Sequence, residues 1–231
     1  MERVALTPAL LLHRRPYRDT SQLLEVVSET YGRVGLVARG RRAAAALQLF
    51  QPLLLSWTRR GELGTLGDTE ADGPAHRLEG RRAVCGLYMN ELMMRCLARD
   101  DPHPEVVHAY RRALAELAAG ADEATSLRRF ELGLLDGLGF GLDLAHDAAD
   151  GEPVVAGTWY RFVHHQGLVR TSSEQGAVDG AHLLALVAGT EVPTGAGAAI
   201  RRLVGEALAQ LIGDRPLATR RLLGTHSPRG G

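Results

Sequence analysis

The stretch HRRPYRDTSQLLEVVSETYGRVGLVARGRR, residues 13–42, decides how the front of the chain folds. It holds two apolar runs, 21–27 and 33–38, separated by ETYG and followed by RGRR. Runs of that length between turn-forming residues read as strands. Working outward, 4–12 precedes RRPYRD, 50–57 follows RGRRAAAA, and 62–66 follows TRRG. Five short apolar or alternating runs within about 75 residues predict a small closed barrel, with several barrel types open on pattern alone.

After Gly80 the spacing turns helical. Val84, Leu87, Tyr88, Leu92 and Leu97, with Met89, Met93, Met94 and both cysteines on the other sides, describe a helix apolar almost all round, of the kind buried in a bundle. Further helices are predicted over 104–119, opened by Pro104, and over 125–138, ended by the glycines of GLGFG. Residues 150–180 read as turns with a short hairpin, and helical spacing resumes at 180–187, 198–212 and 217–223. The expected fold is therefore α+β. A five-stranded closed barrel, for which the oligonucleotide-binding (OB) type is one fit among several, spans 1–80. A mainly α-helical domain spans 81–231, with a short irregular or hairpin insert near 150–178.

Composition removes several classes of function. With 45% apolar and 23% charged residues in a chain of 231, a disordered protein is excluded. All 27 basic residues are arginine, so a phosphate loop with its lysine, Schiff-base chemistry and pyridoxal cofactors are excluded. Cys85 and Cys96 lie eleven apart in one predicted helix, about 16 Å at 1.5 Å per residue, too far for a disulfide. Two cysteines without a CxxC pair do not make a zinc knuckle, and no run approaches a membrane span. The first residues lack the pattern of a secretory signal, so a reducing, cytoplasmic setting without a membrane partner is expected.

The formal charge of zero conceals an asymmetry. Residues 1–60 hold ten arginines against four acids, plus six, and the remainder 17 against 23, minus six. A basic front suits a polyanion. Arg14, Arg15, Arg33, Arg39, Arg41 and Arg42 are candidate phosphate contacts, with Tyr31, and Tyr17 nearby, as candidate stacking faces for a single strand. Phe50 and Trp57 read as core, as do the three methionines. The nine histidines are scattered, and His164 and His165 point to opposite faces if extended. No HExxH, GxSxG or dinucleotide fingerprint occurs, so no metal, cofactor or catalytic residue is expected.

A second informative block is LRRFELGLLDGL, residues 127–138. At helical spacing Leu127, Phe130, Leu134 and Leu138 share one side, while Arg128 and Glu131 fall beside it. An arginine next to an apolar stripe complements an acidic peptide that ends in an aromatic residue and a carboxylate. The plain alternative is that Arg128 pairs with a nearby acid.

The first block, then LQLFQPLLLSWTRRGELGTL (47–66), CGLYMNELMMRCL (85–97) and LRRFELGLLDGLGFGLDL (127–144), resemble in this order the bacterial recombination mediator family RecO. The resemblance implies an OB barrel followed by a helical domain and a non-catalytic role in recombinational repair, in a cytoplasmic, nucleoid-associated protein. It implies binding of single- and double-stranded DNA, annealing of complementary strands, and loading of recombinase. The implied protein partners are RecR and the acidic C-terminal tail of single-stranded DNA-binding protein. Arg128 matches the family's basic residue that meets this tail. Some members carry a four-cysteine zinc site after the GLGFGLDL block. Residues 145–176 here contain no cysteine, so zinc is not carried over. The loop after VARG is short and lacks lysine, so DNA affinity is expected to be weaker or supplied by neighbouring arginines. The rival reading is an RNA-directed OB module with a helical protein-docking domain.

Overall fold

A computed structural model describes residues 1–40, 47–190, 195–213 and 216–225. Five strands come first: β1 Glu2–Tyr17, β2 Ser21–Ser28, β3 Gly32–Arg39, β4 Pro52–Arg59 and β5 Gly64–Ala71. The helices α1 Gly80–Cys96, α2 Pro104–Ala118 and α3 Glu123–Gly137 follow. Then come β6 Trp159–Val163, β7 Gly167–Thr171, β8 Val178–Asp179, and the helices α4 Gly180–Ala188, α5 Gly197–Ile212 and α6 Ala218–Thr225.

Strands β1 to β5 close a barrel in the order β1-β2-β3-β5-β4, with β1 hydrogen-bonded to β4 and one parallel pair, β3 with β5. This is the expected OB-type barrel. Strand β1 extends past the run 4–12 at both ends, with register shifts between Val4 and Thr7 and between Leu11 and His13. Its first half pairs with β4 and its second half, including Arg14, Arg15 and Tyr17, with β2. RRPY thus continues the ladder. Its polar side chains stand in solvent at the barrel end, so the apolar pattern stops where the strand does not.

The barrel core is built from alternate residues of each strand: Leu24, Val26, Val34, Leu36, Leu53, Leu55 and Trp57 among them. Each such side chain contributes about 1.5–3 kcal/mol when fully buried. The opposite face of β1 and β2 is also apolar, and Leu10, Leu12, Leu23 and Val27 are buried there. Helix α1 packs on β1 and α2 on β2, which is why these strands show near-continuous apolar runs. Asn90 of α1 donates from Nδ2 to the Leu12 carbonyl (2.8 Å) and accepts from the Tyr110 hydroxyl of α2, whose pKa burial pushes up.

Three features of this region were not expected. Helix α1 is not buried on every side, since its apolar Leu87 is 37% exposed. Its Glu91 caps α6, accepting from the backbone N–H of Ala218 and of Thr219 (both 2.9 Å) and from the Thr219 hydroxyl (2.6 Å). Gly32, at φ 65°, opens β3 where a Cβ would lie 2.3 Å from the Asp101 carbonyl oxygen, so only glycine admits the α1–α2 linker there.

The change from strand to helix falls between β5 and α1, whereas two compact units divide elsewhere. One is Met1–Gly120 with Pro216–Gly231, the other Ala121–Arg215. The first carries 20 arginines and 14 acids, plus six, and the second 7 and 13, minus six.

In the second unit α3 packs on α5, burying Leu127, Phe130 and Leu134 of one helix and Ile200, Leu203 and Val204 of the other. A three-stranded sheet, β7-β6-β8, completes it. Asp122 caps α3 by accepting from Thr125 N–H (2.8 Å). His164 and His165 occupy the β6–β7 turn, not extended backbone. His165 stands at φ 63°, and the two rings meet edge to face at 3.9 Å between centroids, so the extended geometry that would put them on opposite faces does not arise.

Candidate nucleic-acid interface

The β1–β2–β3 end of the barrel gathers part of the expected basic groove. Tyr17, Ser21 and Arg39 form one cross-strand rung, and Arg15 lies opposite Leu23 two residues along. Arg14, Arg15, Arg18 and Arg39 are exposed and Tyr17 is half-buried. The Arg18 guanidinium lies over the Tyr17 ring, 5.1 Å from its centroid. Arg14 reaches back to donate to the Leu47 carbonyl (3.3 Å). The β1–β2 turn is fastened by Gly40 N–H donating to Thr20 (3.1 Å). Cations and an aromatic ring on one barrel end can hold the backbone of a single strand and stack a base. Arg41 and Arg42 lie outside the described residues.

Arg33 and Tyr31 are placed differently from the expectation. Arg33 donates from Nε to the Leu97 carbonyl (2.9 Å) and from Nη1 to Glu25 (3.2 Å), leaving its side chain 16% exposed. Arg99 closes on the same buried carboxylate from the other side, and this hydrogen bond raises the Arg99 pKa. Arg33 therefore anchors the α1–α2 linker to the barrel. A basic residue beside a strand reads as a phosphate contact because the acid that takes it, Glu25, is paired to it only by β2–β3 register. Tyr31 packs edge-on to Trp57 (5.1 Å, 78°) against the barrel core, so its ring is engaged by the protein.

The apolar stripe of α3 also turns inward. Leu127, Phe130 and Leu134 are at most 6% exposed, and Leu138 at the helix end is half-buried. Arg128 meets Glu131 with Nη1 2.7 Å from Oε2 and Nη2 2.8 Å from Oε1, so the pairing alternative describes it. The stripe is the core-facing side because α5 needs an apolar partner; periodicity names an apolar side without saying whether protein already covers it.

On the opposite side of α3 is a groove of about 310 Å³ lined by Leu132, Gly133, Asp136, Leu142, Leu144, Leu186 and Val187. Val187 (55%) is exposed, as is Phe140 (49%), two residues before Leu142. Arg129, one turn before Leu132 and Gly133, donates to the Gly189 carbonyl at the end of α4 (2.6 Å). These residues carry no motif; an Arg-x-x-Leu-Gly spacing on the polar side of a helix is ordinary.

Among the described residues no three His, Cys, Asp or Glu side chains converge to hold a metal, and no helix is long and apolar enough to cross a membrane. Within residues 145–176, which hold no cysteine, Asp147 ties the segment. It is 2% exposed and accepts from the backbone of Ala149 (2.9 Å) and Arg170 (3.1 Å).

Comparison with known proteins extends over nearly the whole chain. The family models described as Recombination protein O N terminal and Recombination protein O C terminal match residues 1–73 and 77–221. DNA repair protein RecO of Coxiella burnetii (strain RSA 493 / Nine Mile phase I) is 42% identical over 229 residues, covering 96% of this chain and 99% of the relative. The protein of that name from Nitrosococcus oceani is 43% identical (96% and 93% covered), and that from Methylococcus capsulatus 42% (97% and 95%).

Proposed function

The chain belongs to the RecO family, and from that membership we propose that it is a non-enzymatic DNA repair and recombination mediator that binds single strands at the β1–β2–β3 end of its barrel. The observation that carries this reading is the rung Tyr17–Ser21–Arg39 with exposed Arg14, Arg15 and Arg18 around it, in a unit of charge plus six. Cations that replace condensed counterions on phosphate give an affinity that falls steeply with salt. Two strands held on arginine forks have their mutual repulsion reduced and their base edges free, which is what annealing requires.

The test is a polarisation titration of a labelled oligothymidylate at several salt concentrations. Replacing Arg14, Arg15 and Arg39 together by alanine lowers the slope of log affinity against log salt by up to about 2, at about 0.7 per phosphate contact on a single strand. An unchanged slope refutes the assignment. An oligoribonucleotide bound far more tightly than DNA of the same sequence favours the RNA-directed alternative.

RecR and single-stranded DNA-binding protein complete the proposed role, in which the mediator loads recombinase on coated strands. The acidic tail of the latter fits the groove on the outer side of α3 better than the buried stripe. An aromatic ring enters among Leu132, Leu142 and Val187, and the terminal carboxylate meets Arg129.

A further inference from the structure

Arg59 ends β4 at the loop joining β4 to β5, residues 60–63. It donates from Nε to the Gly61 carbonyl (2.7 Å) and, with Nη1 and Nη2, to the two carboxylate oxygens of Asp100 (2.5 and 2.7 Å). In OB barrels the β4–β5 loop and the face of strands 2 and 3 are where nucleic acid lies. Here the α1–α2 linker crosses that region. Asp100 N–H donates to the Arg33 carbonyl (2.9 Å), and the bare face of Gly35 admits Leu63 and Arg99.

Three properties of the Asp100 contact are unusual for a structural ion pair. It is a two-oxygen fork on a guanidinium, the geometry a phosphate also adopts. It stays in water, with side-chain exposures of 22% for Arg59 and 40% for Asp100. Asp100 also stands at φ 62°, a left-handed conformation that residues with a Cβ rarely adopt. Exposed pairs contribute little net stability, so an incoming anion displaces this one at small cost.

We propose that Asp100 is an internal stand-in for a nucleic-acid phosphate, and that Arg59 is a further phosphate-contacting residue which Asp100 holds until a bound strand displaces it. This rests on the reading that the barrel binds nucleic acid. Arg59 pairs with Gly64, and Gly64 with Leu36, three residues or about 10 Å along β3 from Arg39. Both cations therefore lie within the length of single strand that one such barrel covers.

The test compares four variants of the full chain by oligothymidylate titration at several salt concentrations. Asp100→Asn keeps a residue that tolerates the left-handed conformation, and unchanged urea unfolding shows that the fold is retained. It tightens binding about three- to tenfold and steepens the salt slope by about 0.7. Asp101→Asn makes the same charge change at a neighbour bound to His103, not to Arg59, and shifts affinity less than about twofold. Arg59→Ala alone weakens binding about two- to threefold, because the strand loses the contact it takes over from Asp100 and meets that carboxylate unpaired. Combining Arg59→Ala with Asp100→Asn abolishes the gain. The proposal is overturned if Asp100→Asn binds no more tightly than Asp101→Asn, or if its gain survives loss of Arg59. Absence of salt-dependent binding in every variant overturns the underlying reading and the proposal with it.

Discussion

Arg33 and Arg39 look alike in sequence and separate cleanly in structure, so the same substitution has opposite consequences at the two. Arg33→Ala removes a hydrogen bond to the Leu97 carbonyl and one to a carboxylate that is only 7% exposed. Hydrogen bonds from a charged group contribute about 1.5–3 kcal/mol each, and Glu25 keeps Arg99, so the loss is about 2–4 kcal/mol. At a urea m-value of about 2 kcal/mol/M that lowers the midpoint by about 1–2 M. The chain's two tryptophans are Trp57 in the barrel core and Trp159 in the second unit. In a Trp159→Phe background the fluorescence therefore follows the barrel. The salt slope of oligonucleotide binding, measured where the variant is folded, stays unchanged. Arg39→Ala does the reverse: stability within about 0.5 kcal/mol of the parent, and a slope lower by about 0.7. An Arg33→Ala protein of normal stability with a reduced slope refutes the division between anchor and contact.

Other expectations are as direct. Gly32→Ala forces a Cβ onto the Asp101 backbone at a φ of 65° and lowers stability by about 2–4 kcal/mol in the same urea assay. Burial raises the Glu91 pKa, but hydrogen bonds from Thr219 and Ala218 and the charge of Arg95 outweigh it, and the net shift is downward. A depressed carboxylate stabilises fully above its unfolded value and loses that contribution as pH falls through the folded one. The hold on α6 therefore weakens only below about pH 4.5, read as faster amide exchange at Ala218 and Thr219. Arg129→Ala weakens an acidic tail peptide about tenfold in an anisotropy titration while leaving oligonucleotide affinity unchanged. Arg128→Ala, whose guanidinium is held by Glu131, destabilises the second unit instead, seen as a lowered midpoint from Trp159 fluorescence.

The barrel was legible because its two apolar faces, one inward and one under α1 and α2, make β1 and β2 nearly continuous apolar runs between clear turns. Strand β1 past Leu12 and β5 past Leu66 were not, since backbone pairing continues where side chains face water. The basic groove was legible as a charge excess and illegible as a site. Glu25 takes Arg33 into the protein and Asp100 pairs with Arg59 at the surface, and local spacing announces neither pairing. The α3 stripe was correctly periodic and wrongly assigned, because an apolar side that awaits a partner and one already covered by α5 have the same spacing. Cross-helix capping by Glu91, 127 residues before Ala218, has no local signature at all.

The central claim, that the barrel end holds single strands and brings complementary ones together, is tested most directly by strand annealing. Two complementary oligonucleotides, one carrying a fluorophore and one a quencher, are mixed naked and again after coating with single-stranded DNA-binding protein. The parent protein accelerates quenching in both cases, and the variant lacking Arg14, Arg15 and Arg39 accelerates neither while unfolding at the parent's urea midpoint. Failure of the parent to accelerate annealing, or full acceleration by the triple variant, contradicts the account.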